Sequence, residues 1–284
     1  MLKPFPQRVQ STLVFLRGTI NWMRDNAEEI EVKRTEAKAW DRSMKEYAYD
    51  YQLQDDSTFI QFKGFKHGYP TSEVSGSKRL KYYRDEPWAK NVPYFNHYEA
   101  QKSAEIPEAF VIGGQCEDVI ARLKANNVVL NPIEPGKLQV EQYRVISFKN
   151  GEKPYDGHYL HRQIESELTD EVWDQKPTDF VVPMNQPNRR FIMSVLTPDS
   201  PDSYFAWNFF DSYVQQKEYF SAYVFEDKAA EILNNDPELK KKLEAEKENN
   251  PSFKESTWNQ LYFVYRNSPY YEPTHNVLPL GRSK

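Results

Sequence analysis

The spacing of hydrophobic residues changes near residue 45, and this change requires a fold with both helices and sheet. Before that point, apolar side chains recur at alternating intervals of four and three residues. They are Val9, Leu13, Leu16, Ile20 and Met23. This spacing places them on one face of a helix over residues 6–25. Residues 27–42 are rich in charge and predict a second, solvent-facing helix.

After residue 45 the pattern has a period of two. Residues 47–53 alternate apolar and polar side chains, which predicts a half-buried strand. Residues 58–65 predict a second strand, in which Gly64 is a candidate bulge. The segment that begins at Arg79 predicts a weaker strand that Pro87 ends.

A small β–α–β passage is predicted next. Residues 109–112 form a short apolar strand, and Gly113-Gly114 turns the chain into a helix closed by Asn126-Asn127. Residues 128–130 then predict another strand. Further strands are predicted at the β-prone or apolar runs that follow. These runs are residues 138–148, 158–168, 179–184 and 191–196.

The chain returns to helical patterns from residue 203. Asp236-Pro237 predicts the start of a charged helix, and residues 253–265 predict another. The Pro-rich tail is expected to lie against the body of the protein. We therefore predict an α+β fold in three parts. The parts are a helical segment at 1–42, an antiparallel β-rich domain at 43–199 and a helical C-terminal region at 200–284.

Composition excludes several classes of partner. The formal net charge is −5 and the pI is about 5.7, so the chain as a whole is acidic. Nucleic acid is therefore not expected as its main partner. The sequence has no apolar run of about 18 residues, so no membrane span is predicted. The N-terminus lacks the continuous apolar segment of a signal peptide. Cys116 is the one cysteine, so no disulfide can form within the chain. Its acidic neighbours Glu117 and Asp118 predict an unreactive, structural thiol.

We find no pattern typical of a catalytic or metal site. None of the five histidines begins a His-x-x-Glu or His-Glu-x-x-His motif. His158 and His161 would lie on opposite faces of a strand, which disfavours a shared metal and gives little support to an unrelated hydrolase built on them. Glu165 and Glu167 would share a face, but 42 acidic residues make such pairs common by chance.

Aromatic residues are concentrated between residues 207 and 225, and they allow two interpretations. Trp207, Tyr213 and Tyr219 are candidates for a ligand surface that holds a glycan or a peptide. The competing interpretation is that the rings fill a helix–sheet interface. A stand-alone binding or scaffolding module is therefore one functional hypothesis.

A second hypothesis comes from a family resemblance. Residues 183–211 and 217–243 resemble the C-terminal region of bacterial carboxypeptidase A-like zinc peptidases, and residues 107–128 resemble an intermediate domain of the same proteins. The matching positions in the first segment are Gln186-Pro187, Leu196, Pro198, Ser200, Asp202-Ser203, Trp207, Phe209-Phe210 and Glu218-Tyr219.

The N-terminus resembles the stretch that follows the catalytic glutamate of that family, through Lys3-Pro4, Arg8-Val9 and Thr12. The resemblance implies that Met1 is an internal methionine and that residues 6–25 form the last helix of a peptidase domain. Zinc, its ligands and the catalytic glutamate would then belong to the intact protein upstream of this chain. The chain would be a non-catalytic portion whose partner is a peptidase domain, either upstream in the same protein or on a separate chain. The resemblance also implies a peptide as a candidate substrate and a periplasmic or extracellular location.

Overall fold

A computed structural model describes residues 3–283. Met1, which the resemblance implies is internal, lies outside the described residues. The chain forms two compact units, one of Glu46–Glu105 and one that combines Met1–Lys45 with Ile106–Lys284. Helices together with antiparallel sheets make the fold α+β, as predicted. The domain limits at residues 42 and 199 stay predictions.

The described residues contain nine helices. They are α1 (Phe5–Asp25), α2 (Ala27–Ser43), α3 (Glu117–Ala125), α4 (Arg189–Leu196), α5 (Asp211–Val214), α6 (Ala222–Asn235), α7 (Pro237–Asn249), α8 (Pro251–Lys254) and α9 (Thr257–Arg266).

Ten strands are present in the same range. They are β1 (Glu46–Leu53), β2 (Thr58–Gly68), β3 (Lys81–Tyr94), β4 (Tyr98–Glu105), β5 (Ala109–Ile112), β6 (Asn131–Pro132), β7 (Gly136–Asn150), β8 (His161–Gln175), β9 (Phe180–Pro183) and β10 (Val277–Ser283).

The main sheet of the larger unit has six antiparallel strands in the order β6-β9-β5-β10-β7-β8. The C-terminal strand β10 lies between β5 and β7, with Leu278 and Leu280 buried. Pro279 lacks an amide hydrogen, and it lies where the pairing with β7 is interrupted, between Val277 and Gly281. The tail that we expected to lie against the body is therefore a central strand of the sheet.

Two strand predictions in this unit are wrong. Residues 191–196 belong to helix α4, because Ile192, Met193, Val195 and Leu196 form one buried helical face. Residues 128–130 are not a strand, and the predicted β–α–β passage instead ends at the two-residue strand β6. In the sheet β9 separates β6 from β5.

The smaller unit consists of two antiparallel pairs, β1 with β4 and β2 with β3. Pro87 does not end β3, because it lies opposite Phe65, where the register of the ladder shifts. The irregularity follows Phe65 rather than occurring at Gly64. A Cβ atom at Gly64 would lie 2.5 Å from the ring of Trp88, so this close approach requires glycine.

Side chains of the helices α6 to α9 form a hydrophobic cluster in the larger unit. Its buried members include Phe225, Leu243, Leu261 and Val264. The predicted start of the charged helix is confirmed, since the Asp236 side chain accepts a hydrogen bond from Leu239 N at 2.9 Å and Pro237 is the first residue of α7.

The predicted helices at the N-terminus are confirmed as α1 and α2, and neither has a buried residue. The C-terminal end of α2 is tied to α4 by the ion pair of Arg190 with Asp41 at 2.8 Å, and by Arg189 Nη1, which donates to Arg42 O at 2.6 Å. No helix in the described part of the chain combines the length and the apolar character needed to cross a membrane.

Candidate binding site

The three aromatic residues singled out from the sequence lie in a segment that is not the continuous helix we expected. Residues 203–221 consist of turns, the single-turn helix α5 and a loop, and the next long helix begins at Ala222. Tyr213 and Tyr219 line different cavities, and Trp207 lines neither of them. The structure therefore does not unite the three residues in one surface.

Trp207 packs against a tight hairpin. The indole contacts His158 edge to face at 5.6 Å and Tyr155 at 6.1 Å between ring centroids. Asp156 and Gly157 between them adopt positive φ angles of 46° and 85°, which suits a two-residue hairpin turn. Trp207 is half-buried by these contacts, so it has both a packing role and an accessible surface.

His161 is buried, and neighbouring side chains occupy both of its ring nitrogens. Nδ1 lies 2.7 Å from Asn150 Oδ1, and Nε2 lies 2.8 Å from Asp211 Oδ1. The rings of Phe148 and Phe205 pack on it at 4.3 and 4.9 Å. Because both nitrogens face oxygen acceptors, His161 joins the end of β7 to α5 and offers no free nitrogen to a metal.

Within residues 3–283 no three His, Cys, Asp or Glu side chains group closely enough to hold a metal ion. The zinc ligands implied by the family resemblance belong upstream of residue 1. That implication stays a prediction.

Tyr213 lies beside Cys116. Burial raises the pKa of the Cys116 thiol to about 12, despite the hydrogen bond with Tyr213, and burial also raises the pKa of Tyr213 to about 12. Cys116 is buried, as expected for a structural cysteine, but burial rather than Glu117 and Asp118 is the main cause of its raised pKa.

The cavity that Tyr213 lines has a volume of about 370 Å³, and both polar and apolar residues form its walls. The buried carboxylate of Asp179, also in its wall, accepts hydrogen bonds from Gly114 N at 2.9 Å, Trp173 Nε1 at 2.9 Å and Lys176 N at 3.0 Å. Trp173 and Lys176 lie beside the turn between β8 and β9, whereas Gly114 lies 65 positions from Asp179 in the chain. Asp179 therefore stabilises this turn and ties it to the segment that follows β5.

Tyr219 lies at a cavity of about 390 Å³, here named the Tyr219 pocket. Five of its nine lining residues are aromatic. The lining residues are Glu218, Tyr219, Phe220, Ser221, Val224, Phe225, Lys228, Tyr265 and Tyr270. An open cavity with aromatic walls and a few polar groups is the usual form of a small-molecule or side-chain binding site.

Hydrogen bonds to Glu272 hold the loop that carries Tyr219. The Glu272 carboxylate accepts hydrogen bonds from Lys217 N at 2.8 Å and from Glu218 N at 3.3 Å. The bond from Lys217 N is the main cause that lowers the pKa of Glu272. Tyr265 Oη donates to Glu218 O at 3.3 Å. The pocket is therefore preformed, which reduces the ordering that a ligand must impose.

Several residues of the pocket had no signal in the sequence. Tyr265 and Tyr270 reach it from α9 and from the loop after α9, more than forty positions beyond Tyr219. The aromatic run of α9 could have suggested a packed helix, but its pairing with the loop before α6 depends on tertiary structure.

Helix α1 presents a second surface of interest. The α1 stripe, made of Val9, Leu13, Leu16, Ile20 and Met23, is between 38% and 63% exposed. Phe5, Phe15 and Trp22 are also exposed on the same helix. A helix with so much uncovered apolar surface is typical of one that packs against another domain or chain.

The chain matches no protein-family model, no curated protein and no solved structure. The resemblance to zinc carboxypeptidases therefore stays a prediction from the residues quoted above.

Proposed function

We propose that this chain is the C-terminal, non-catalytic portion of a zinc carboxypeptidase-like protein and that α1 packs against the peptidase domain. The observation that carries this proposal is the uncovered α1 stripe. The family resemblance assigns residues 6–25 to the end of a peptidase domain, and a helix in that position would have its apolar side covered.

The α1 stripe is large enough to hold such a contact. Full burial of a Leu, Ile, Val or Met side chain contributes about 1.5–3 kcal/mol. Five side chains that are about half exposed would therefore contribute about 5 kcal/mol on docking. That amount is comparable to the whole stability of a small domain.

In the intact protein, zinc-activated water would cleave the C-terminal peptide bond of a substrate at residues upstream of this chain. The part described here would support or orient that site. A periplasmic or extracellular location belongs to the same proposal.

The test is a carboxypeptidase assay on the purified 284-residue chain with added zinc, using a chelator-treated sample as control. We expect no hydrolysis above the control. Hydrolysis that requires zinc and follows the purified chain would show that the chain has a catalytic site of its own, and the proposal would fail.

A stand-alone binding module is the second candidate function, and the Tyr219 pocket favours it. Peptide or glycan binding should then weaken in Tyr219→Ala while the fold, followed by circular dichroism, is unchanged. Trp207→Ala is the matched comparison, because Trp207 lies outside the pocket. Equal binding by the parent chain and Tyr219→Ala would remove this candidate.

A further inference from the structure

The aromatic rings of the Tyr219 pocket face in different directions. Phe225 is perpendicular to Tyr265, at 5.7 Å and 90°, and nearly perpendicular to Tyr270, at 6.5 Å and 84°. Phe220 is tilted against Phe225 and Tyr265 at about 5 Å. Rings at such angles surround a space with both faces and edges. A cation is attracted to the electron-rich face of an aromatic ring.

The charges at the pocket also favour a cation. The Lys228 ammonium is paired with Glu231 at 2.6 Å. The Glu218 carboxylate has no hydrogen-bond or ion-pair partner among the described residues, and it lies near enough to Tyr265 to raise the pKa of that phenol, after burial as the first cause. The exposed Glu218 is therefore the one charged lining residue of the pocket that no ion pair among the described residues neutralises.

The size of the cavity suits a flat cation on an apolar stem. A cavity of about 150 Å³ holds a benzene molecule, and the Tyr219 pocket has about 390 Å³. A guanidinium group and the methylene groups behind it fit within that volume. Neutral rings would also fit, but they would leave the Glu218 carboxylate without a partner.

We infer that the Tyr219 pocket binds the basic side chain of a peptide, with the cation against the aromatic rings and paired with Glu218. The inference rests on the second candidate function, the binding module, and does not depend on the peptidase resemblance. It names the ligand chemistry that the pocket selects.

Trp258 provides a spectroscopic reporter for the test. Its indole is stacked on Phe220, a wall of the pocket, at 4.7 Å and 13°. The titration uses N-acetyl-arginine amide and its neutral isostere N-acetyl-citrulline amide, followed by tryptophan fluorescence and by calorimetry. Because the chain has six tryptophans, Trp258→Phe identifies the part of the signal that comes from the pocket.

We expect the arginine compound to bind saturably and about tenfold more tightly than the citrulline compound. Glu218→Gln should remove this difference, while the exposed Glu226→Gln on the neighbouring helix should keep it. Lys228→Met should tighten arginine binding, because it removes a like charge from the wall. Added salt should weaken arginine binding and leave citrulline binding unchanged.

The two failures are distinguishable. Equal binding of the arginine and citrulline compounds, unchanged in Glu218→Gln, would overturn the cation assignment and leave a neutral binding pocket. If calorimetry and fluorescence detect binding of neither compound, this inference is overturned. The binding-module candidate is decided separately, by whether peptide or glycan binding weakens in Tyr219→Ala. Circular dichroism of each variant shows that the fold is intact.

Discussion

Replacing Leu16 by lysine tests whether the α1 stripe is uncovered in this chain. Leu16 is 49% exposed, and α1 has no buried residue. Leucine and lysine have similar helix propensities, so Leu16→Lys should change the free energy of unfolding of the isolated chain by less than about 0.5 kcal/mol. In a protein where α1 is docked, the same change should cost about 1–1.5 kcal/mol more, because the exposed half of the Leu16 side chain would no longer be buried.

The assay is urea denaturation followed by circular dichroism, with Leu196→Ala as the buried control. Leu196 is 1% exposed in α4, so its truncation should cost about 2–5 kcal/mol and lower the denaturation midpoint clearly. Leu16→Lys should keep the midpoint of the parent chain and bind less of a hydrophobic dye. If Leu16→Lys instead costs more than about 1 kcal/mol, the stripe is packed within this chain and the docking proposal loses its support.

Three further outcomes are expected. The lowered pKa of Glu272 means that its carboxylate stabilises the fold above its unfolded pKa and that this contribution is lost as pH falls through the lower, folded value. Glu272→Gln should therefore have a lower free energy of unfolding than the parent chain at about pH 7 and lose less of it on acidification. Denaturation curves in which both proteins lose the same free energy on acidification would contradict this. Cys116 should not react with a thiol reagent until urea is added, since burial raises its pKa to about 12; fast reaction of the native chain would show an accessible thiolate. Asp179→Ala should cost about 3 kcal/mol because three donors lose their acceptor, whereas the exposed Asp174→Ala should be nearly neutral; similar denaturation midpoints for the two would refute the turn-stabilising role.

The spacing of hydrophobic residues predicted the helices and strands that have one clear buried or apolar face. The helices α1 and α3 and the strand β7 follow directly from their spacing. The strand β10 could not be predicted in this way, because Pro279 disrupts the usual strand pattern and its neighbours β5 and β7 lie more than 120 residues away in sequence. The helix α4 was mistaken for a strand because a short apolar run has no decisive period.

The site was only partly predictable. Tyr219 was singled out because of its aromatic neighbourhood, and it does line a pocket. Its supposed partners Trp207 and Tyr213 are elsewhere, because residues 203–221 turn several times instead of continuing as a helix. The contacts that build the pocket come from Tyr265 and Tyr270, and local sequence contains no information about that pairing.

The central claim is that this chain continues a zinc carboxypeptidase domain, and the coding DNA directly upstream of Met1 tests it most directly. The account predicts an open frame that encodes a His-x-x-Glu pair, a later histidine and a glutamate shortly before Met1. An in-frame stop codon followed by a ribosome-binding site near Met1 would contradict the account, and the binding-module function would then be the one to pursue.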